Sequence, residues 1–211
     1  MRKVRFADGE FYHIYNRGVD KRVVFSEIQD FERFLESMVE FNAVEPIGSL
    51  FEHAFADKNK KHSPKLVNVI CYCLNPNHYH LILEQLKENG ISEFMKRLGG
   101  GFTNYFNLKN HRNGALFQGK FKAAHIDSNE YLLHVSAYVN LNNLVHKIKG
   151  ERFRSSWREY LDTSDKVLCA KDIIFKQFKN KDEYRDFAEN SLSSILKRKD
   201  LLKELETMLI D

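Results

Sequence analysis

Cysteine, proline and long apolar runs are all scarce in this chain, and each scarcity excludes something. Three cysteines among 211 residues, Cys71, Cys73 and Cys169, give no disulfide framework. Cys71 and Cys73 alternate along a strand-like stretch and read as small core residues. Three prolines, Pro46, Pro64 and Pro76, leave most of the chain free to run in regular elements. No apolar run approaches the ~20 residues of a membrane span, and no secretory signal opens the sequence. A cytoplasmic protein with no membrane partner is the expectation. Charge is balanced too: 33 Lys and Arg against 29 Asp and Glu leave +4, well short of a dedicated DNA-coating protein. That charge is concentrated. Residues 91–125 hold six basic groups (Lys96, Arg97, Lys109, Arg112, Lys120, Lys122) against Glu93 alone, a local +5. Aromatic residues are plentiful, with 17 Phe and 9 Tyr. The length suits one domain with a sizeable core, or a domain plus an appendage.

The stretch Cys73-Leu-Asn-Pro-Asn-His-Tyr-His-Leu-Ile-Leu-Glu84 reads as a strand end, a tight turn at Pro76, and a second strand opening on two histidines. Side chains alternate along a strand, so His78 and His80 share a face and Tyr79 joins Leu81 and Leu83 on the other. Their Cα atoms stand roughly 6.5–7 Å apart, close enough for both imidazoles to hold one metal ion. A His-x-His pair alone also describes ordinary surface or structural histidines, and two ligands do not close a site. Glu84 shares the histidine face and reads as a strand-end carboxylate rather than a histidine's partner.

A third ligand is available in the apolar-periodic helix expected over 130–146. Tyr138 and Asn142 stand at i and i+4 there, one above the other. A tyrosine beside a ligating amide, facing two histidines, suits phosphoryl transfer, with a phenolate attacking phosphorus. A plain amphipathic helix with a buried tyrosine fits the same spacing.

Further elements frame these. Phe11–Arg17 reads as a first strand, ended by Gly18, with Asn16, Arg17, Lys21 and Arg22 clustered at its end, where basic groups can hold phosphates. Ser26 caps a first helix carrying Phe31, Phe34 and Met38. Residues 45–65 read as a surface insertion with a short helix at Ser49–Phe55. Ser92 caps a second helix, in which Gly99-Gly100-Gly101 should break or kink the helix or permit a close backbone approach. Residues 121–127 form a last strand. Arg112, Phe117, Gln118, Lys120 and Lys122, basic groups interleaved with aromatics, suit single-stranded nucleic acid. Beyond Gly150 three helical segments are expected, at 172–178, 182–192 and 194–210. The order gives an α+β fold: a ferredoxin-like βαββαβ antiparallel sheet with helices on one face, a tyrosine-bearing helix and a helical C-terminal tail. The expected division is 1–150 as a catalytic domain, with its insertion, and 151–211 as a helical extension.

Asn75-Pro-Asn-His-Tyr-His-Leu-Ile-Leu-Glu84 resembles the two-histidine (HUH) motif of single-tyrosine transposases, particularly the REP-associated tyrosine transposases. Phe11-Tyr-His-Ile-Tyr-Asn-Arg-Gly18 resembles that family's first strand and turn. Leu116-Phe-Gln-Gly-Lys-Phe-Lys122 resembles its Leu-Phe-Gln-Gly-Arg-Phe-Lys segment, and Ser155-Ser-Trp-Arg-Glu-Tyr160 the stretch after its catalytic core. The resemblance spans about residues 9–160. It departs at Asn143-Leu144, where relatives carry Pro-Val, in the longer 45–65 link, and at the three glycines.

The resemblance implies a metal-dependent single-stranded DNA endonuclease and strand transferase. Tyr138 would be the nucleophile, forming a 5′-phosphotyrosine and freeing a 3′-OH. His78, His80 and Asn142 would hold one divalent ion, Mg²⁺ or Mn²⁺. The partner would be hairpin-forming single-stranded DNA; whether the chain works as a homodimer is left open. Two other readings stand beside it. One is a DNA- or RNA-binding regulator that keeps the fold without cutting; it would be marked by a lost His or Tyr, and all are present. The other is a zinc hydrolase using Cys71, Cys73, His78 and His80, disfavoured because the two pairs are expected at opposite ends of their strands.

Overall fold

The structure, a computed structural model, describes residues 4–48, 50, 63–163 and 167–208. Most of the expected insertion, including the short helix expected at Ser49–Phe55, lies outside the described residues.

Five strands form one antiparallel sheet: β1 (Phe11–Arg17), β2 (Val67–Asn75), β3 (His78–Gln85), β4 (Lys122–Ile126) and β5 (Arg154–Ser155). Their spatial order is β4-β1-β3-β2-β5. The first four obey the expected ferredoxin-like order, with β3 at the centre, and the short β5 lengthens the sheet beside β2.

Two helices cross between strands: α1 (Ile28–Glu40) and α2 (Gly90–Lys109). Both lie on the Tyr79 face. Phe34 of α1 packs on Tyr79 with ring centroids 5.3 Å apart and on Phe102 of α2 at 5.0 Å. Tyr12, Ile14, Leu81, Leu83, Met38, Phe94 and Leu98 complete this layer, all buried. Alternation in β1 and β3 delivers these residues to one side, and 3.6-residue periodicity in the helices meets them.

The start of α1 differs from expectation. Glu27, not Ser26, is the N-cap, and the organising group is Asp30. One oxygen of this buried carboxylate accepts from the Ser26 and Glu27 backbone and the Ser26 hydroxyl; the other accepts from Tyr105 at 3.0 Å and Lys109 at 2.7 Å on α2. Burial alone would raise the Asp30 carboxyl; bonds from Lys109, Ser26 and Glu27 outweigh it and hold the carboxyl below its ordinary value. A local cap thereby becomes a clamp between helices.

In α2 the N-cap is Asn89, with a left-handed φ of 60°, three residues before the expected Ser92. The glycine triplet neither breaks nor ends the helix, which runs unbroken to Lys109. A Cβ on Gly101 would stand 2.6 Å from the Phe41 ring, so this glycine serves close approach.

The opposite face of the sheet is covered by α3 (Asn129–Asn140), whose N-cap Ser128 accepts from the Tyr131 backbone. The single helix expected over 130–146 is interrupted at Leu141 and resumes as the short α4 (Asn142–Val145). The chain then forms α5 (Trp157–Tyr160) and α6 (Asp172–Phe175). The last two expected tail segments are one helix, α7 (Lys181–Met208). It packs against α3: the Tyr184 hydroxyl lies 3.0 Å from both Ser136 Oγ and Asn140 Nδ2, and Ser156 Oγ donates to Asn140 Oδ1 at 2.6 Å. Among the described residues, no helix is long and apolar enough to cross a membrane.

Candidate active site on the histidine face

The central strand presents His78 and His80 to the α3 side, as the pleat requires, while Tyr79 is buried among Phe34 and Phe117. The two imidazole centroids are 5.3 Å apart with their planes at 89°. Tyr138 on α3 stands edge-on to His80 at 5.5 Å and to His13 of β1 at 6.0 Å. Two strands and a helix remote in sequence therefore converge.

Asn142 completes the group. The interruption at Leu141 keeps its amide beside Tyr138 and directs Oδ1 to 3.3 Å from His78 Nε2. Asn75, fully buried at the end of β2, donates from Nδ2 to Asn142 Oδ1 at 2.7 Å and stands 3.0 Å from His78 Nε2. Asn142 Nδ2 is buried with no hydrogen-bond partner among the described residues, so the carbonyl end of this amide is the one turned to the histidine.

The rings are held at their other nitrogens. His78 Nδ1 lies 2.7 Å from Asn77 Oδ1, while Asn77 Nδ2 donates to the Lys21 carbonyl. An amide oxygen only accepts, so the His78 proton sits on Nδ1 and Nε2 carries a lone pair. His80 Nδ1 lies 2.8 Å from His13 Nε2.

Burial sets the protonation of this face. It lowers His13 and His78 to about 4 and His80 well below its ordinary value; nearby His146 adds to the effect on His78. The three imidazoles are neutral at pH 7. The Tyr138 phenol is raised by burial, partly offset by the neighbouring Asn142 side chain, and is protonated at neutral pH.

These donors fit a divalent cation. Two cis ligands at about 2.1 Å stand roughly 3 Å apart, and His78 Nε2 and Asn142 Oδ1 are 3.3 Å apart, both facing the Asn75 amide donor. The zinc alternative was disfavoured on an argument that the structure corrects: Cys73 pairs directly across from His80. The expectation misjudged how closely the turn at Pro76 and Asn77 brings the strand ends together. Burial nevertheless keeps both thiols protonated, pushing Cys73 up to about 12 and Cys71 well above its ordinary value. Among the described residues, no three His, Cys, Asp or Glu side chains form a metal cluster.

The expected nucleic-acid residues divide into a rim and its supports. Arg17 pairs across from His78, and Lys122 across from Tyr15, on the histidine face. Arg17, Lys21, Arg22, Gln118, Lys120 and Lys122 are exposed. Their segments are stitched together: Gly18 donates to the Asn77 carbonyl, Val19 to Leu116, and the Gln118 backbone to Arg17. A Cβ on Gly18 would stand 2.4 Å from the Arg22 carbonyl, which explains the glycine at this fold of the loop.

The other three have structural engagements. Asn16 is buried and donates to the Gly119 carbonyl. Phe117 is 7 % exposed and packs on Tyr79, so it presents no open face to a base. The Arg112 guanidinium donates to Asn107 and Ala115 and lies over Phe106. Periodicity in a loop cannot separate such props from contact residues. Glu84 accepts from Asn68 at 2.8 Å, as a strand-end carboxylate.

Sequence reasoning missed His13, Asn75 and Asn77 as site residues. Asn77 adjoins His78 and was within reach of local reading. His13 and Asn75 meet their partners only through strand pairing and helix docking.

With this geometry in hand, the comparisons are specific. Residues 46–142 match the model of the IS200-like transposase family. That stretch, somewhat under half of the chain, is similar to the IS200-like transposases and holds His78, His80, Tyr138 and Asn142. No curated protein matches it significantly. Among solved structures, a REP-associated tyrosine transposase bound to a REP hairpin matches with a TM-score of 0.55 at 14% identity, over 80% of this chain and 97% of that one. At that identity the likeness carries the fold.

Proposed function

We propose that this chain cuts and rejoins hairpin-bearing single-stranded DNA through a covalent 5′-phosphotyrosine at Tyr138. The observation that carries the reading is the convergence of Tyr138, edge-on to His80 at 5.5 Å, with the His78 Nε2 and Asn142 Oδ1 pair 3.3 Å apart. A nucleophile and a cation-binding set lie within reach of one phosphate. In the step, a bond forms between Tyr138 Oη and phosphorus and the bond from phosphorus to the 3′ oxygen breaks. The phenolic proton ends on the departing 3′ oxygen, and the phosphoester energy is kept for rejoining. His78, His80 and Asn142 would hold Mg²⁺ or Mn²⁺, which polarises the phosphoryl oxygen and stabilises its developing charge. Tyr138 serves the histidines of its own chain.

The exposed rim of Arg17, Lys21, Arg22, Gln118, Lys120 and Lys122 borders the histidine face and supplies phosphate contacts. Asn16, Phe117 and Arg112 hold the segments that carry it. The solved relative's REP hairpin supports a hairpin substrate here. Residues 1–150 carry the reaction in this reading, and the 151–211 extension, through Tyr184 of α7, braces the tyrosine helix from behind.

The test is incubation with hairpin-bearing single-stranded DNA labelled at either end, with and without Mn²⁺, resolved on a denaturing protein gel. The expected result is a metal-dependent shifted band that keeps the 3′ label and is absent in Tyr138→Phe. An adduct that persists in Tyr138→Phe would remove the tyrosine from its role. Binding without any adduct would favour the non-cleaving regulator.

A further inference from the structure

We propose that His13 is the positioning residue for His80, holding its imidazole by Nδ1 so that Nε2 is the nitrogen offered to the cation and phosphate. The inference rests on the metal-site reading above.

His13 Nε2 and His80 Nδ1 are 2.8 Å apart. At that distance between two neutral rings, one proton lies between them. If His80 carries it, His80 Nε2 keeps its lone pair and can ligate. If His13 carries it, the His80 proton moves to Nε2 and the ring is useless as a ligand there. The tautomer of a ligating histidine is thus set by the partner of its other nitrogen.

His78 shows which choice this chain makes. Its Nδ1 faces Asn77 Oδ1 at 2.7 Å, and Asn77 is itself oriented by its bond to the Lys21 carbonyl. That ring has no choice of tautomer. His80 is held at the same nitrogen, Nδ1, so two rings anchored alike present Nε2 alike. The reach of His13 is built into the sheet. In the β1–β3 register His13 pairs with Ile82 and Tyr15 with His80, which places His13 diagonally beside His80 on one face. The two imidazoles stack at 5.1 Å with their planes 20° apart, and His13 also stands against Tyr138. One side chain therefore touches both the candidate ligand and the candidate nucleophile.

The first test needs no variant. Long-range ¹⁵N–¹H NMR on the metal-free full chain reports the His80 tautomer, expected as Nδ1–H; an Nε2–H tautomer overturns the proposal. The second is Mn²⁺ titration calorimetry on the metal-free wild type, His13→Phe and His13→Gln, with thermal melts to verify folding. Phe keeps a ring and removes the acceptor, and its affinity should fall about 10- to 100-fold. The Gln amide oxygen reaches about where Nε2 stands and should restore affinity to within roughly threefold of wild type. Unchanged affinity in His13→Phe, or a Gln loss equal to the Phe loss, overturns the role of His13. A wild type that takes up no Mn²⁺ overturns the metal-site reading itself, a separate outcome. If His13→Phe does not fold, the wild-type tautomer and the Gln titration still decide.

Discussion

The two faces of the central sheet are made by the same strands and have opposite chemistry. Toward α1 and α2, β3 sends Tyr79, Leu81 and Leu83 into an aromatic and aliphatic layer. Toward α3 it sends His78 and His80, joined by His13, Asn75 and Asn142, in a buried polar network. The first face stabilises by removing apolar surface from water. The second buries polar groups that must find partners, and Asn142 Nδ2 finds none among the described residues. One face holds the fold, and the other spends part of that stability on a site.

That contrast can be broken at several points. The largest effect is expected on the polar face: Tyr138→Phe should reduce covalent adduct to background while the melting temperature stays near wild type. A large loss of stability would mean that the polar face also holds the fold. The mirror experiment is Phe34→Ala, which hollows the apolar layer. It should cost about 3–5 kcal/mol in urea unfolding, while adduct formation per folded molecule is kept.

A smaller effect comes from pH. His13 and His78 titrate at about 4 in the fold against an ordinary 6.5. Their contribution to stability is full above pH 6.5 and is lost as the pH falls through the window to about 4, because the unfolded chain takes up protons first. Urea unfolding free energies measured from pH 7 to 4 should show that decline, at most about 1.4 kcal/mol per pH unit for each histidine. Replacing His13 by Gln should make the decline shallower. The smallest change sharpens the other face. Gly101→Ala places a methyl against the Phe41 ring and should cost about 1–3 kcal/mol by overpacking, whereas Gly100→Ala, which meets nothing within 4 Å, should be neutral or slightly stabilising.

What could be read in advance follows the range of the interaction. The paired histidines, the turn at Pro76 and the burial of Tyr79 depend on neighbours within a few residues and on the pleat. The crossover order of strands and helices was legible for the same reason. The glycine triplet misled in part because helix propensity is local, while the role of Gly101 is set by Phe41 on another segment. Phe117 and Arg112 fit a binding pattern by composition, and only the packed structure shows one buried and the other bonded to its own loop.

Sequence alone determined the sheet's alternation, the hairpin that carries His78 and His80, and the four-residue spacing of Tyr138 and Asn142, since each is fixed by backbone periodicity. Tertiary structure alone decided that His13 meets His80, that Asn75 meets Asn142 across 67 residues, and that α7 braces the tyrosine helix. Those contacts depend on strand register and helix docking, which arise from burying whole faces at once and leave no trace in any short stretch of chain.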